Sequence, residues 1–208
     1  MSNPLESADP NDSYLTLAEQ SSGLFKELGS KFFYFAFPVK SEEDIKAELA
    51  ALRKQYFDAT HHCYAWILGK DALHFRANDD GEPNHSAGDP ILGQIRSHQI
   101  TDTLIVVVRY FGGTKLGVSG LIKAYKTAAA LAIEDSQIIR EWVKIALDIR
   151  FPYPAMNEVM KVVKTHELEI LSQEMALDCQ MKLSFREGLA AQVVPSLEEI
   201  EGLVLTPC

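Results

Sequence analysis

Two short stretches concentrate residues able to do chemistry. The first, 109-RYFGGTKLGVSGLIKAYK-126, carries Gly112, Gly113, Gly117 and Gly120 together with Arg109, Lys115, Lys123 and Lys126, and no acidic residue. Glycine is entropically costly to order, so this density implies backbone that turns tightly or comes close to something. A glycine loop leading from a strand into a helix can aim N–H groups at an anion, helped by the helix's partial positive charge. The expected binding residues are Arg109, Tyr110, Gly112, Gly113, Lys115, Gly117, Ser119, Lys123 and Lys126. The competing reading is that the glycines serve a tight turn and close packing while the lysines keep one helix face wet. Gly112 and Gly117 match the first half of GxxxxGK[ST], but Val118 stands where that motif has its lysine, and GxGxxG is absent. Nucleotide hydrolysis and dinucleotide binding therefore lack support.

The second stretch, 76-RANDDGEPNHSAGDPIL-92, gathers Asp79, Asp80, Glu82, His85 and Asp89. It is a second candidate site, built on Arg76, Asp79, Asp80 and Glu82. EF-hand spacing is missing, so no metal or cofactor is expected, and the better reading is a structured turn whose aspartates accept backbone N–H bonds. His61 and His62 are adjacent on an expected strand, so they point to opposite faces and do not share one ion. Candidate nucleophiles are Cys63, with His61 or His74 near it, and Ser86 beside His85; no GxSxG or HExxH accompanies them. A nonenzymatic binding module is favoured over an enzyme.

These stretches belong to a chain of 208 residues, 47% apolar, with a net charge of −9. Such a chain fills one large core or two small ones. Residues 1–140 hold 14 Lys and Arg against 18 Asp and Glu, and residues 141–208 hold 6 against 11, which makes 109–126 a local exception. A protein coated with positive charge for nonspecific nucleic-acid binding is excluded, whereas a confined basic patch is not. Cys63, Cys179 and Cys208 are an odd, widely spaced set without CxxC, read as buried or incidental thiols. The N-terminal MSNPLESADPNDSY has no signal-peptide pattern and no apolar run reaches a bilayer-spanning length, so a cytoplasmic protein away from membranes is expected.

The elements that must position the two stretches follow from periodicity. Strands are expected over 14–21 and 31–39, paired with each other, then a helix over 42–57 behind a Ser41/Asp44 capping box. A hairpin spans 61–68 and 72–78, and a helix capped by Ser86 or Asp89 runs to about Ser97. The run TLIVVVRYF (103–111) predicts a central strand buried on both faces. The glycine loop then enters a helix whose apolar stripe is Val118, Leu121, Ile122, Tyr125, Ala129 and Ala132, with Lys115, Ser119, Lys123 and Lys126 on another face. After residue 140 comes a second set: strand 143–153, helix 154–166, two strands within 168–185, helix 188–200 containing Pro195, and strand 202–207. This βαββαβ order is that of a ferredoxin-like domain. An α+β protein of two domains, 1–140 and 141–208, is expected.

The blocks 59-ATHHCYAW-66, 76-RANDDGEPNHSAGDPIL-92 and 103-TLIVVVRYFGGTKLGVSGLIKAY-125, in this order and spacing, resemble the signature of the IMPACT family, which includes the bacterial YigZ proteins. The resemblance implies a first domain similar to a ribosomal small-subunit protein domain and to domain IV of elongation factor G, and a ferredoxin-like second domain similar to domain V of that factor. It implies a translation-associated regulatory role, with RNA or the ribosome, or a protein of the translation machinery, as partner. Eukaryotic relatives carry an extra N-terminal partner-binding domain that the residues before Tyr14 are not expected to accommodate, so their control of a translation kinase is not expected to carry over. Asp89 departs from an often basic position, His85 and Ser119 from often glycine positions, and Lys115 from a usually apolar one.

Three functional classes are then open. An RNA-binding module would contact phosphates through Arg109, Lys115, Lys123 and Lys126, with Tyr110, Phe111 or Tyr125 stacking on bases. A protein-interaction regulator would use the sheet of the second domain. An enzyme on a small anionic substrate would work between the DDGEP and YFGGTKLG loops, through Asp80 and Lys115.

Overall fold

The computed structural model describes residues 12–207; the N-terminal stretch before Asp12 and Cys208 lie outside the described residues. Two compact units are present, one spanning Tyr14–Glu141 and the other taking the chain from Trp142 onward with Asp12 and Ser13.

The larger unit is built on five antiparallel strands in the order β2 (Ser21–Glu27), β3 (Ser30–Pro38), β6 (Thr103–Tyr110), β4 (His61–Leu68) and β5 (His74–Asn78). The central strand β6 is buried on both faces, as its continuous apolar run requires. On one face, α1 (Glu42–Gln55) lays Ile45, Leu49 and Leu52 over Tyr64, Trp66, Leu104, Val106 and Val108. On the other, α2 (Gly88–Ser97) and α3 (Gly117–Glu134) cover Phe32, Cys63, Ala65, Ile105 and Val107. The start of α1 forms as expected: Ser41 accepts from the Asp44 N–H at 3.1 Å and Asp44 accepts from the Ser41 N–H at 3.0 Å.

Two expectations need correction. The segment 14–21 is not one strand paired with 31–39. Its first part is β1 (Ser13–Leu17), which pairs with β7 (Ile138–Trp142), and the neighbour of β3 is β2, which begins only at Ser21. The apolar stripe of α3 also needs redrawing. Leu121, Tyr125, Ala129 and Ala132 are buried, joined by Ala124, Ala128 and Ile133, but Val118 and Ile122 are 53% and 39% exposed.

In the smaller unit, β8 (Lys144–Pro152), α4 (Met156–Thr165), β9 (Glu169–Glu174), β10 (Asp178–Arg186), α5 (Ala190–Glu198) and β11 (Val204–Pro207) follow in sequence. The sheet order β11-β8-β10-β9, all antiparallel, is ferredoxin-like. Alternate residues Leu147, Ile149, Phe151, Met181, Leu183 and Phe185 pack beneath the two helices with Val159, Val163, Val193 and Leu197. Pro195 sits inside α5. Among the described residues no helix is long and apolar enough to cross a membrane.

Candidate functional site

Because β4 and β6 run antiparallel with His61 opposite Arg109, the start of β4 and the end of β6 lie side by side. The DDGEP loop closes over this end of the sheet, so three blocks distant in sequence meet. Asp79 to Glu82 form a tight turn: the Glu82 N–H donates to the Asp79 carbonyl at 2.9 Å, and both central residues have positive φ, 43° at Asp80 and 88° at Gly81. That backbone belongs to a type I′ turn, which Asp-Gly accommodates at low cost.

The turn swings Glu82 inward, where its side chain is only 4% exposed. Its Oε1 accepts from Arg109 Nη1 at 2.5 Å and from the Tyr125 hydroxyl at 2.7 Å. His61 donates through Nδ1 to the Asp80 carbonyl at 2.8 Å and turns Nε2 toward Glu82 at 3.8 Å. Cys63 Sγ lies 3.0 Å from the Asp79 carbonyl and 3.3 Å from the Tyr125 hydroxyl. Burial, followed by the neighbouring Cys63 and Glu82, pushes the Tyr125 hydroxyl far above its ordinary value, and burial does the same to the Cys63 thiol. Cys63 is therefore a buried thiol rather than a poised thiolate.

The other acids of the loop are engaged as well. Asp79 accepts backbone N–H bonds from His85 (2.9 Å), Ala87 (2.9 Å) and Gly88 (2.8 Å). Burial works against its charge, but the three N–H donors outweigh it and hold the carboxyl below the ordinary range. It is thus Asp79, and neither Ser86 nor Asp89, that closes the N-terminus of α2; Ser86 instead donates to the Pro83 carbonyl at 2.6 Å, and Asp89 meets His85 Nδ1 at 2.6 Å. Asp80 takes the His62 N–H at 2.6 Å and Arg53 at 2.9 Å. Arg76 is exposed on β5, opposite Trp66. This loop acts as a clamp.

The glycine loop follows β6 directly. Gly112 packs against the β2–β3 turn so closely that a Cβ there would lie 1.9 Å from the carbonyl carbon of Gly29. Its N–H donates to Ser30 Oγ at 3.2 Å, and the same oxygen lies 3.4 Å from Arg109 Nη2. Gly113 and Gly117 adopt φ of 87° and 70° with open space around them. The close approach that the glycines provide is thus to the protein's own backbone at Gly112, and toward solvent at the other two. The stretch from Phe111 to Lys115 is exposed, as are Gly117, Ser119, Lys123 and Lys126, while Lys115 precedes α3 rather than sharing its face. At the start of α3, Leu116 makes no side-chain cap and the first turn holds no acid.

The structure therefore separates the expected binding residues. Arg109 is buried and neutralised by Glu82, and Tyr125 is fully buried, so neither faces solvent. Tyr110 borders an open groove of about 370 Å³ whose lining is Gly29, Lys31, Phe33, Tyr56, Tyr110 and Phe111. Its hydroxyl donates to Asp58 Oδ1 at 2.6 Å, a bond that, with burial, lifts its pKa to about 12. Lys31, Phe33 and Tyr56 carried no signal by themselves; the register that places Lys31 opposite Tyr110 brings the first two here, and Tyr56 arrives from the C-terminal end of α1.

This geometry of clamp and glycine loop is carried by a recognisable stretch of chain. Residues 28–133 match the family model of the Impact N-terminal domain. The chain belongs to the IMPACT family. Similarity to an IMPACT family member of Haemophilus influenzae extends over 177 residues at 33% identity, 82% of this chain and 85% of the relative. The IMPACT family member YvyE of Bacillus subtilis is 39% identical over 113 residues, and there the chain spans about half of its relative, 52%. A crystal structure of a hypothetical protein superposes with a TM-score of 0.75 at 25% identity, covering 95% of this chain and 98% of the other. The fold that positions the site is thus an α+β fold already seen by crystallography.

Proposed function

We propose that this IMPACT-family protein has a translation-associated role and binds RNA, free or ribosomal, by its phosphates at the glycine loop and the first turn of α3. The observation that carries this reading is a contrast between two neighbouring helix starts. The N-terminus of α2 is closed by the Asp79 carboxylate, whereas that of α3 has neither a side-chain cap nor an acid, and lies behind an exposed loop bearing Lys115. Free N–H groups and the positive end of a helix attract phosphate oxygens. Lys115, Lys123 and Lys126 add charge on a background of −9, so binding is confined to one patch. Arg109 holds the loop's base through Glu82 and Ser30 rather than touching the ligand.

The test is fluorescence anisotropy of a labelled RNA against wild type and Lys115→Glu/Lys123→Glu at two salt concentrations. Wild-type affinity should fall steeply with salt, and the double variant should lose binding while keeping its unfolding midpoint, because both lysines are exposed. Salt-independent binding, or binding unchanged in the variant, contradicts the reading.

A further inference from the structure

The groove beside the glycine loop adds a feature that phosphate contacts do not require. Phe33 lies 5.4 Å from Tyr56 and 5.9 Å from Tyr110, centroid to centroid, and Phe111, 48% exposed, completes the wall at the first residue of the loop. Lys31 is the one charged residue of the lining, and Gly29 on its rim is the residue against which Gly112 packs. An aromatic groove with a single cation, continuous with an acid-free loop, fits a ligand that is flat and apolar in one part and anionic in the next. A nucleotide within a strand has this character.

We infer that this groove takes an unstacked base, its flanking phosphates lying on Lys31 and the glycine loop, so that the RNA bound is single-stranded. In a duplex the base faces are covered by their neighbours, and such a groove finds nothing to stack on. The inference rests on the phosphate-binding reading above and names the class of nucleic acid that reading leaves open.

Three labelled probes test it by anisotropy: a single-stranded RNA 12-mer of mixed sequence, an abasic ribose-phosphate strand of the same length, and a duplex RNA. The base-bearing single strand should bind about tenfold tighter than the abasic strand or more, from stacking alone. Phe111→Ala should bring it down to the abasic level without changing abasic or duplex binding, and Lys31→Ala should weaken both single strands. Phe111 is exposed enough that its truncation leaves the fold in place, which the unfolding midpoint checks. Equal binding of base-bearing and abasic strands, both lost in Lys115→Glu/Lys123→Glu, overturns the base subsite and leaves the phosphate site standing. No binding of any probe by wild type overturns both.

Discussion

Glu82 Oε1 sits 2.5 Å from Arg109 Nη1, with the two side chains 4% and 6% exposed. This pair joins the DDGEP turn to the root of the glycine loop, and through Ser30 it reaches the Gly112 N–H. Removing one member leaves a buried charge without its partner, which costs about 3–5 kcal/mol, whereas removing both in favour of apolar groups costs far less than the sum. Urea unfolding of Glu82→Leu, Arg109→Met and the double variant should therefore give a coupling of about 2 kcal/mol or more; additive losses would mean that the pair does not act as a unit.

The glycines of the loop should separate sharply. Gly112→Ala places a methyl inside the Gly29 backbone and should cost about 3 kcal/mol, because two chain segments must part. Gly113→Ala meets no atom and carries only the penalty of its left-handed conformation, about 1 kcal/mol. Unfolding midpoints of the two variants check the order.

Much of this arrangement is legible in the sequence, and the failures have physical causes. The apolar run of β6, the Ser41/Asp44 box and the βαββαβ order are local patterns, and each forms. Strand β2 is hidden because the turn joining it to β3 places Leu28 and Gly29 at φ of 45° and 81°. A leucine there contradicts ordinary turn chemistry, so nothing local announces the hairpin. The aspartates of the DDGEP loop are readable as N–H acceptors, since that follows from residue type. The Glu82–Arg109 pair is not, because it joins residues 27 apart through tertiary register alone. Arg109 consequently reads as a ligand contact when taken with the lysines around it.

Asp79 should dominate the acid response of the clamp. Its carboxyl is held below the ordinary value when folded, so the unfolded chain takes up the proton first. The stabilisation is complete above the unfolded value of about 4 and is lost as pH falls through the native one. Asp79→Ala should cost about 2 kcal/mol at neutral pH and flatten the decline of the urea midpoint below pH of about 4, compared with wild type.

His62 gives a second, milder pH window. Burial, reinforced by Arg53, pushes its pKa down against the pull of Asp80, so the folded protein prefers the neutral ring. Stability from this residue is complete above about 6.5 and falls as pH drops toward the native value, because the unfolded chain binds the proton more readily. Between pH of about 7.5 and 5.5, the urea midpoint of wild type should fall more than that of His62→Gln. Parallel profiles would show that His62 does not titrate with folding.

Amide chemical-shift mapping during titration with single-stranded RNA tests the central claim most directly. Perturbations should concentrate on Phe111 to Gly120 with Lys31 and Tyr56 beside them, and should vanish in Lys115→Glu/Lys123→Glu. Shifts confined to the strands between Lys144 and Pro207, or no shifts at saturating RNA, would contradict RNA recognition at the glycine loop.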